Sequence, residues 1–410
     1  MRLYLRRVRE LVLAGATLLD GTVADVRLRD GMIGEVGSIE PQPDDERLDL
    51  TGHLLSPAAV EPHAHLDKAF LAERVVNETG DLLGAIDAMV AYRPFRSVPE
   101  TIERAERAAR LLAGNGYSAV RSHADTTTDH GLRSIEALIE VRRRVAELLD
   151  VQIVALCGWP TAGPPGTEQR ALLIDALAMG ADVVGGCPHL DPGGTRPATE
   201  VLLQIAADHG LPVDLHTDET LQEDVDGLAE LAELVMTTGF PHPVTASHCV
   251  SLGVKSPARQ REVAEAVAAA GIAVVALPGT NLILQGRGHL QAMPRGVTAV
   301  DALRAAGVVV AGGADNLQDP FNPLGRGDPF DTAALMMMAV HLRPADAWAS
   351  VTDDSRRALG WSPTSVAVGQ PADLLAVPAV NVREAIAFAP HDRIVIRRGE
   401  VVERAVALMR

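Results

Sequence analysis

The sequence predicts an α/β protein: a closed parallel barrel of about eight βα units, with a small β domain built from both chain ends. Three observations carry this. Apolar, β-branched runs alternate with Ala-, Leu-, Glu- and Arg-rich stretches through the middle of the chain. The alternations number about eight, as a closed parallel barrel requires. Both ends fall instead into short apolar runs cut by turn signals.

The elements follow in order. From Leu11 to Leu55, Asp20-Gly21 and Asp30-Gly31 mark hairpin tips between short strands. After about Pro57 come a strand near His63 and strands at Ala119-Val120, Val151 to Leu156, Val183-Val184, Val213 to Leu215, Val244-Thr245, Ile272 to Leu277 and Val308 to Val310, the last leading to Asp315. Between them the composition predicts helices over Val98–Asn115, Ile135–Leu149, Arg170–Met179, Thr199–His209 and Arg259–Ala270. Gly180, Gly210 and Gly271 stand where C-terminal caps belong. After Trp361 short strands return at Ala372–Val377 and Arg393–Arg398, with Arg398-Gly399-Glu400 as a turn. The expected domains are 1–55 plus 361–410, and 56–360. An open doubly wound sheet is the alternative arrangement of the same units.

Composition bounds the function. The chain has 410 residues, 47% of them apolar, enough for one large barrel with an addition or for two or three ordinary domains. With 37 Lys plus Arg against 54 Asp plus Glu, the net charge of -17 argues against a nucleic acid partner and favours a small neutral or cationic ligand. Cys157, Cys187 and Cys249 form no close pair, so neither a zinc ribbon nor a disulfide scaffold is indicated, and a reducing compartment is the simple reading. Arg9 and Glu10 interrupt the only apolarity near the N-terminus, and no run of roughly 20 apolar residues occurs, so the expectation is a cytoplasmic protein without a membrane partner.

The chemistry-bearing segment is Pro62-His63-Ala64-His65-Leu66-Asp67-Lys68, because His63 and His65, two apart on a strand, project from one face and can bind one metal ion. On that spacing alone, two ordinary histidines near a turn fit equally well. Further ligand types close other apolar runs: His216 in His216-Thr217-Asp218-Glu219, His248 in Ala246-Ser247-His248, and Asp315 in Ala314-Asp315-Asn316. The C-terminal ends of barrel strands converge on one face, where residues distant in sequence share a site. Such ligands around an open position suit one hydrolytic Zn²⁺ or Fe²⁺ per chain, which lowers the pKa of a bound water to about 7. Glu219, three residues after His216, suits a proton shuttle beside the metal; without the strand-end histidines it would read as a solvated glutamate opening a helix.

The ordered set PHAHLDK, HTDE, ASH, NLILQGRG and ADNLQDPFNPLGRGD resembles cytosine deaminase and its close relatives in the amidohydrolase superfamily, including triazine-ring aminohydrolases. It spans about His63 to Asp328. The resemblance implies a distorted (β/α)8 TIM barrel with a small β-sandwich from the N- and C-terminal segments. It implies His63, His65, His216 and Asp315 as ligands of a single metal, Glu219 as acid/base, His248 beside the attacking oxygen, and Asp315 also as a proton acceptor. It implies a homo-oligomer as well. Two departures bear on substrate: Thr161 stands where cytosine deaminases carry the glutamine that pairs with the pyrimidine amide, and Asn316 replaces their second aspartate. Both count against cytosine itself.

Around the pocket, Lys68 is expected either to meet a substrate carbonyl or carboxylate or to pair with Asp67 or another acid. His123 and His189 each read either as pocket-lining or as structural histidines. Gln285 is expected to fix a loop over the site. The Met336-Met337-Met338 run reads as core packing. The activity expected is metal-dependent deamination of a small amino-substituted nitrogen heterocycle, such as a cytosine-like pyrimidine or a triazine. Hydrolysis of a cyclic amide or imide by the same site, and a catalytically silent ligand-binding barrel, are the competing readings.

Overall fold

A computed structural model describes residues 3–6, 10–43 and 45–404. Arg9 and the outermost parts of the expected terminal domain, 1–2, 7–8, 44 and 405–410, lie outside the described residues. Two sheets organise the rest.

The terminal sheet contains β1 (Leu3–Arg6), β2 (Glu10–Thr17), β3 (Val23–Arg29), β4 (Met32–Gly37), β5 (Glu46–Asp49) and β6 (His53–Pro57). The barrel strands are β7 (Ala59–Ala64), β8 (Tyr117–Thr126), β9 (Asp150–Cys157), β10 (Val183–Gly186), β11 (Val213–Thr217), β12 (Val244–His248), β13 (Ala273–Ala276) and β14 (Val310–Gly312). The chain then returns to the terminal sheet with β15 (Leu374–Pro378), β16 (Ile394–Arg397) and β17 (Glu400–Arg404), giving the order β1-β17-β16-β15-β6-β2-β3-β4 with β5 on β2. Asp30 and Gly31 both have positive φ, 51° and 76°, in the two-residue hairpin between β3 and β4. Arg398 and Gly399 do the same between β16 and β17, at 50° and 79°. These are the primed turns whose twist matches the flanking strands.

The eight barrel strands pair in parallel and in sequence order from β7 to β14. A bridge between Ala64 and Asp315 brings the last strand back to the first. Asp315 N–H donates to His63 O at 2.9 Å and His65 N–H to Asp315 O at 3.1 Å. The buried Glu61 carboxylate accepts from the backbone N–H of His63 and Ala314, tying the same seam. This closure excludes the doubly wound sheet, and the irregular pairing at the seam is the distortion of the barrel.

The helices lie where composition put them, with shifted starts. Val98–Asn115 matches, and Gly116 ends it at φ 100°. Arg133–Val145, Thr167–Met179, Thr195–His209 and Pro257–Ala269 each begin two to four residues earlier than expected. Caps and prolines explain part of this: Ser256 accepts from Arg259 N–H with Pro257 in the first turn, a position that tolerates its missing N–H. Of the methionine run, Met336 is fully buried and Met337 packs against the core while partly exposed, but Met338 is 65% exposed and is not core. Among the described residues, no helix is long and apolar enough to cross a membrane, and Cys157, Cys187 and Cys249 are all free.

Candidate active site

Period-2 alternation decides what enters the barrel. On β11, Val213 and Leu215 join the apolar core, while Asp214 and His216 belong to a polar interior shared with Arg121, His123 and Asp125 of β8. The same rule brings in Thr245 and Ser247 from β12 and Glu61 and His63 from β7. At the strand ends these side chains converge. His65 Nε2 lies 3.2 Å from His216 Nε2 and 3.4 Å from Asp315 Oδ1. His63 Nε2 is 3.6 Å from the same oxygen, and His248 Nε2 is 4.0 Å from Asp315 Oδ2. Asp315 at φ 64° and His248 at φ 69° are left-handed non-glycine residues, a strained backbone that ends each strand and turns its side chain inward.

The donor set fits a cation. His63, His65 and Asp315 offer ligand atoms within 4.8 Å of one another, as do His63, His123 and His216. His63 Nε2, His248 Nε2 and Asp315 Oδ2 are buried and have no hydrogen-bond partner, which costs free energy unless something else occupies them. The electrostatics agree. Burial, with neighbouring positive groups, pushes His63, His65 and His216 well below the ordinary histidine pKa. Burial and Asp319 raise Asp315 to about 8, and burial with Asp315 raises Glu219 well above the usual carboxylate range. Neutral imidazoles beside a carboxyl group whose ionisation no protein charge compensates are what a cation site needs.

Glu219 is 6% exposed, with Oε1 3.5 Å from His248 Nδ1. The short helix Pro278–Leu284 stands behind both groups. Asn281 Oδ1 accepts from His248 Nδ1 at 3.1 Å, and Gln285, one turn on, donates from Nε2 to Glu219 O at 3.2 Å. Gln285 thus holds the Glu219 backbone.

A pocket open at its mouth lies above these groups. Lys68 and Asn316 line it, whereas His123, Thr161, His189 and Gln285 stand behind its wall. Lys68 is 4% exposed and donates to Asp125 Oδ1 at 2.7 Å, with His65 Nδ1 3.0 Å away, so its acid partner is Asp125 more than Asp67 at 3.8 Å. Asn316 Oδ1 accepts from Thr280 and its Nδ2 donates to Asp319, leaving one amide N–H free. Thr161 gives its hydroxyl proton to Gly158 O and its N–H to Asp191, so it does not take the place of a substrate-reading amide. His189 Nδ1 meets His216 O at 3.2 Å, and His123 stacks 3.9 Å from His63. Leu82, Ile86, Met89, Trp159, Cys187 and Phe321 form much of its apolar wall, and Arg93 adds a charged group to it. They lie in segments that follow different barrel strands, and nothing in their local sequence distinguishes them from core or surface residues.

Residues 71–403 match the model of the amidohydrolase family. The chain is 33% identical over 390 residues to a pterin deaminase of Rhizobium rhizogenes, covering 93% of this chain and 88% of that protein. The crystal structure of 5-methylcytosine deaminase from Klebsiella pneumoniae liganded with 5-fluorocytosine superposes with a TM-score of 0.88 at 32% identity, over 97% of this chain and 99% of that one. N-isopropylammelide isopropylaminohydrolase from Burkholderia multivorans gives a TM-score of 0.83 at 27% identity, over 96% and 98%. With the matched residues running from just beyond the first strand into the terminal sheet, this chain belongs to the amidohydrolase family and is a hydrolase acting on carbon–nitrogen bonds.

Proposed function

We propose that the protein is an aminohydrolase that removes the exocyclic amine of a small nitrogen heterocycle. The observation that carries this is the meeting of Glu219, His248 and Asp315 with His63, His65 and His216 at the floor of an apolar-walled pocket. The deaminases among its relatives support the same chemistry. His63, His65, His216 and Asp315 would hold one divalent cation, Zn²⁺ or Fe²⁺, which when bound supplies the acidity that ionises a water near neutral pH.

The chain's own groups do the rest. His248, whose Nδ1 proton goes to Asn281, keeps Nε2 bare, and burial, which lowers its pKa to about 3, keeps the ring neutral, so Nε2 can accept a hydrogen bond from the attacking water. Burial and Asp315 raise the Glu219 pKa, so this carboxyl carries a proton at neutral pH and can deliver it to a ring nitrogen or to the departing amine. Glu219 regains its proton from solvent, and Asp315, ionised when it holds the cation, would take the remaining water proton and pass it to the departing amine, so that both protons lost by the water reappear on the ring nitrogen and in ammonia. Trp159, Met89 and Phe321 offer a flat apolar surface for a ring. The free N–H of Asn316 supports a ring that presents an acceptor, a carbonyl oxygen or an unprotonated nitrogen, at that edge.

The test is ammonia release by metal-analysed protein across cytosine, isocytosine, methylcytosines, aminotriazines, aminoimidazoles and pterins. Turnover of one ring with ammonia as product supports the reading. About one metal ion per chain with no ammonia from any ring overturns deamination in favour of cyclic-amide opening.

A further inference from the structure

Below the strand-end histidines, Arg121, Asp214, Thr245 and Ser247 are each no more than 1% exposed, and none of them lines the pocket. Burying a charged pair and two hydroxyls this deeply is costly unless their bonds are made, and of these groups Arg121 Nη2 alone lacks a partner, so the network's proton order is informative. Arg121 Nη1 donates to Asp214 Oδ2 at 2.8 Å and to Thr245 Oγ1 at 3.0 Å. Thr245 passes its own proton to Ala358 O at 2.8 Å. Asp214, facing an arginine that never deprotonates, is a carboxylate and can only accept.

Ser247 Oγ lies 2.8 Å from Asp214 Oδ1 and 2.9 Å from His63 Nδ1. It has a single proton. Were that proton given to His63, an oxygen lone pair would face a carboxylate oxygen at 2.8 Å, so the proton goes to Asp214. Ser247 then accepts from His63, which places the His63 proton on Nδ1. The nitrogen left bare is Nε2, the atom without a protein partner, 3.6 Å from Asp315 Oδ1.

We infer that Ser247, anchored by Asp214 and Arg121, is a positioning residue that locks His63 in the Nδ1–H tautomer and aims its Nε2 lone pair at the cation site. This rests on the reading of that site as a metal centre. A ligand histidine oriented through its other ring nitrogen binds metal more tightly, and loss of such a partner costs 10–100-fold in affinity. The neighbouring chain segment contributes too: Ser247 and His248 are consecutive, so one strand end orients His63 and supplies a proton acceptor at once.

The experiment measures two things. In metal-free protein with ¹⁵N-labelled histidine, His63 is assigned from the signals lost in His63→Gln, and its tautomer is read from the ring nitrogens. Zn²⁺ affinity is then measured by chelator competition for wild type, Ser247→Ala and Ser247→Thr. The expectation is an Nδ1–H ring in wild type, zinc binding weakened about 10–100-fold in Ser247→Ala, and partial recovery in Ser247→Thr, which keeps the hydroxyl. An Nε2–H ring overturns the inference even if Ser247→Ala fails to fold. So does a folded Ser247→Ala that binds zinc as wild type does, because a purely structural serine would lower Tm without moving affinity. Wild-type protein that takes up no zinc overturns the metal-centre reading instead, and the tautomer still decides the relay.

Discussion

At the residue scale the proposed site depends on groups whose ordinary protonation states are displaced by burial. Glu219 has no cation within salt-bridge reach among the described residues, and burial with Asp315 keeps its proton on to higher pH. Glu219→Gln keeps the shape and loses the titration; turnover is expected to fall about 10²–10⁴-fold with metal content unchanged, as checked by metal analysis beside steady-state rates. A variant of near-normal rate would remove Glu219 from the mechanism. A second displaced group lies away from the chemistry. His130 is 1% exposed, and burial with the Arg96 guanidinium lowers its pKa to about 4 from an ordinary 6.5. Between those values the unfolded chain binds a proton that the folded chain refuses, so this contribution is complete above pH 6.5 and declines as pH falls toward 4. Thermal unfolding of wild type and His130→Gln should therefore converge on acidification. The wild type should lose about 1–3 kcal/mol more than the variant, at about 1.4 kcal/mol per pKa unit. Parallel pH profiles would show that His130 titrates unperturbed.

At the element scale, strands read more reliably than helix starts. Val213-Asp214-Leu215-His216 announces an element buried on both faces, and its alternation assigns each face. The first turns of Thr167–Met179 and Thr195–His209 contain or follow glycine and proline, which locally signal a loop. Tertiary packing made those turns helical. The helix Pro278–Leu284 was legible only as part of a longer motif, yet it holds two catalytic candidates. Asn281→Ala should free the His248 ring, lowering kcat about tenfold with little change in zinc content; an unchanged kcat would show that His248 needs no such partner. Close packing between strands sets another limit. A Cβ at Gly185 on β10 would lie 2.5 Å from Val154 Cγ1 and 3.1 Å from Asp214 O. Gly185→Ala should cost about 1–3 kcal/mol, visible as a lower denaturation midpoint, with more if Asp214 is displaced and zinc affinity falls as well.

At the scale of the whole molecule, the proposed cation site and the closure of the barrel are one feature. His63, His65 and Asp315 all belong to the seam where the last strand meets the first, and Glu61 ties that seam from inside. Binding there should brace the fold: metal at 100 times its Kd adds about 2.7 kcal/mol, and chelation should lower Tm and raise amide exchange at 61–65 and 312–316 before other strands. Uniform exchange on chelation would uncouple the site from the closure. The C-terminal segment is joined to the barrel by ion pairs, among them Arg393 with Asp328, whose Nη2–Oδ2 distance is 2.7 Å. By itself the sequence determined the run of βα units and the His, Asp and Glu candidates at the strand ends, because alternation, periodicity and motif order are local properties of the chain; closure into a barrel was decided by the meeting of the last strand with the first. Only the tertiary structure decided which candidates face the pocket. Thr161 and His189 sit beside the right strands, but hydrogen bonds to Gly158, Asp191 and the His216 carbonyl take up their polar groups. Lys68 faces the pocket while bound to Asp125 and His65. Which way a polar side chain points is settled by partners distant in sequence, since a buried donor or acceptor must be satisfied wherever the fold provides for it.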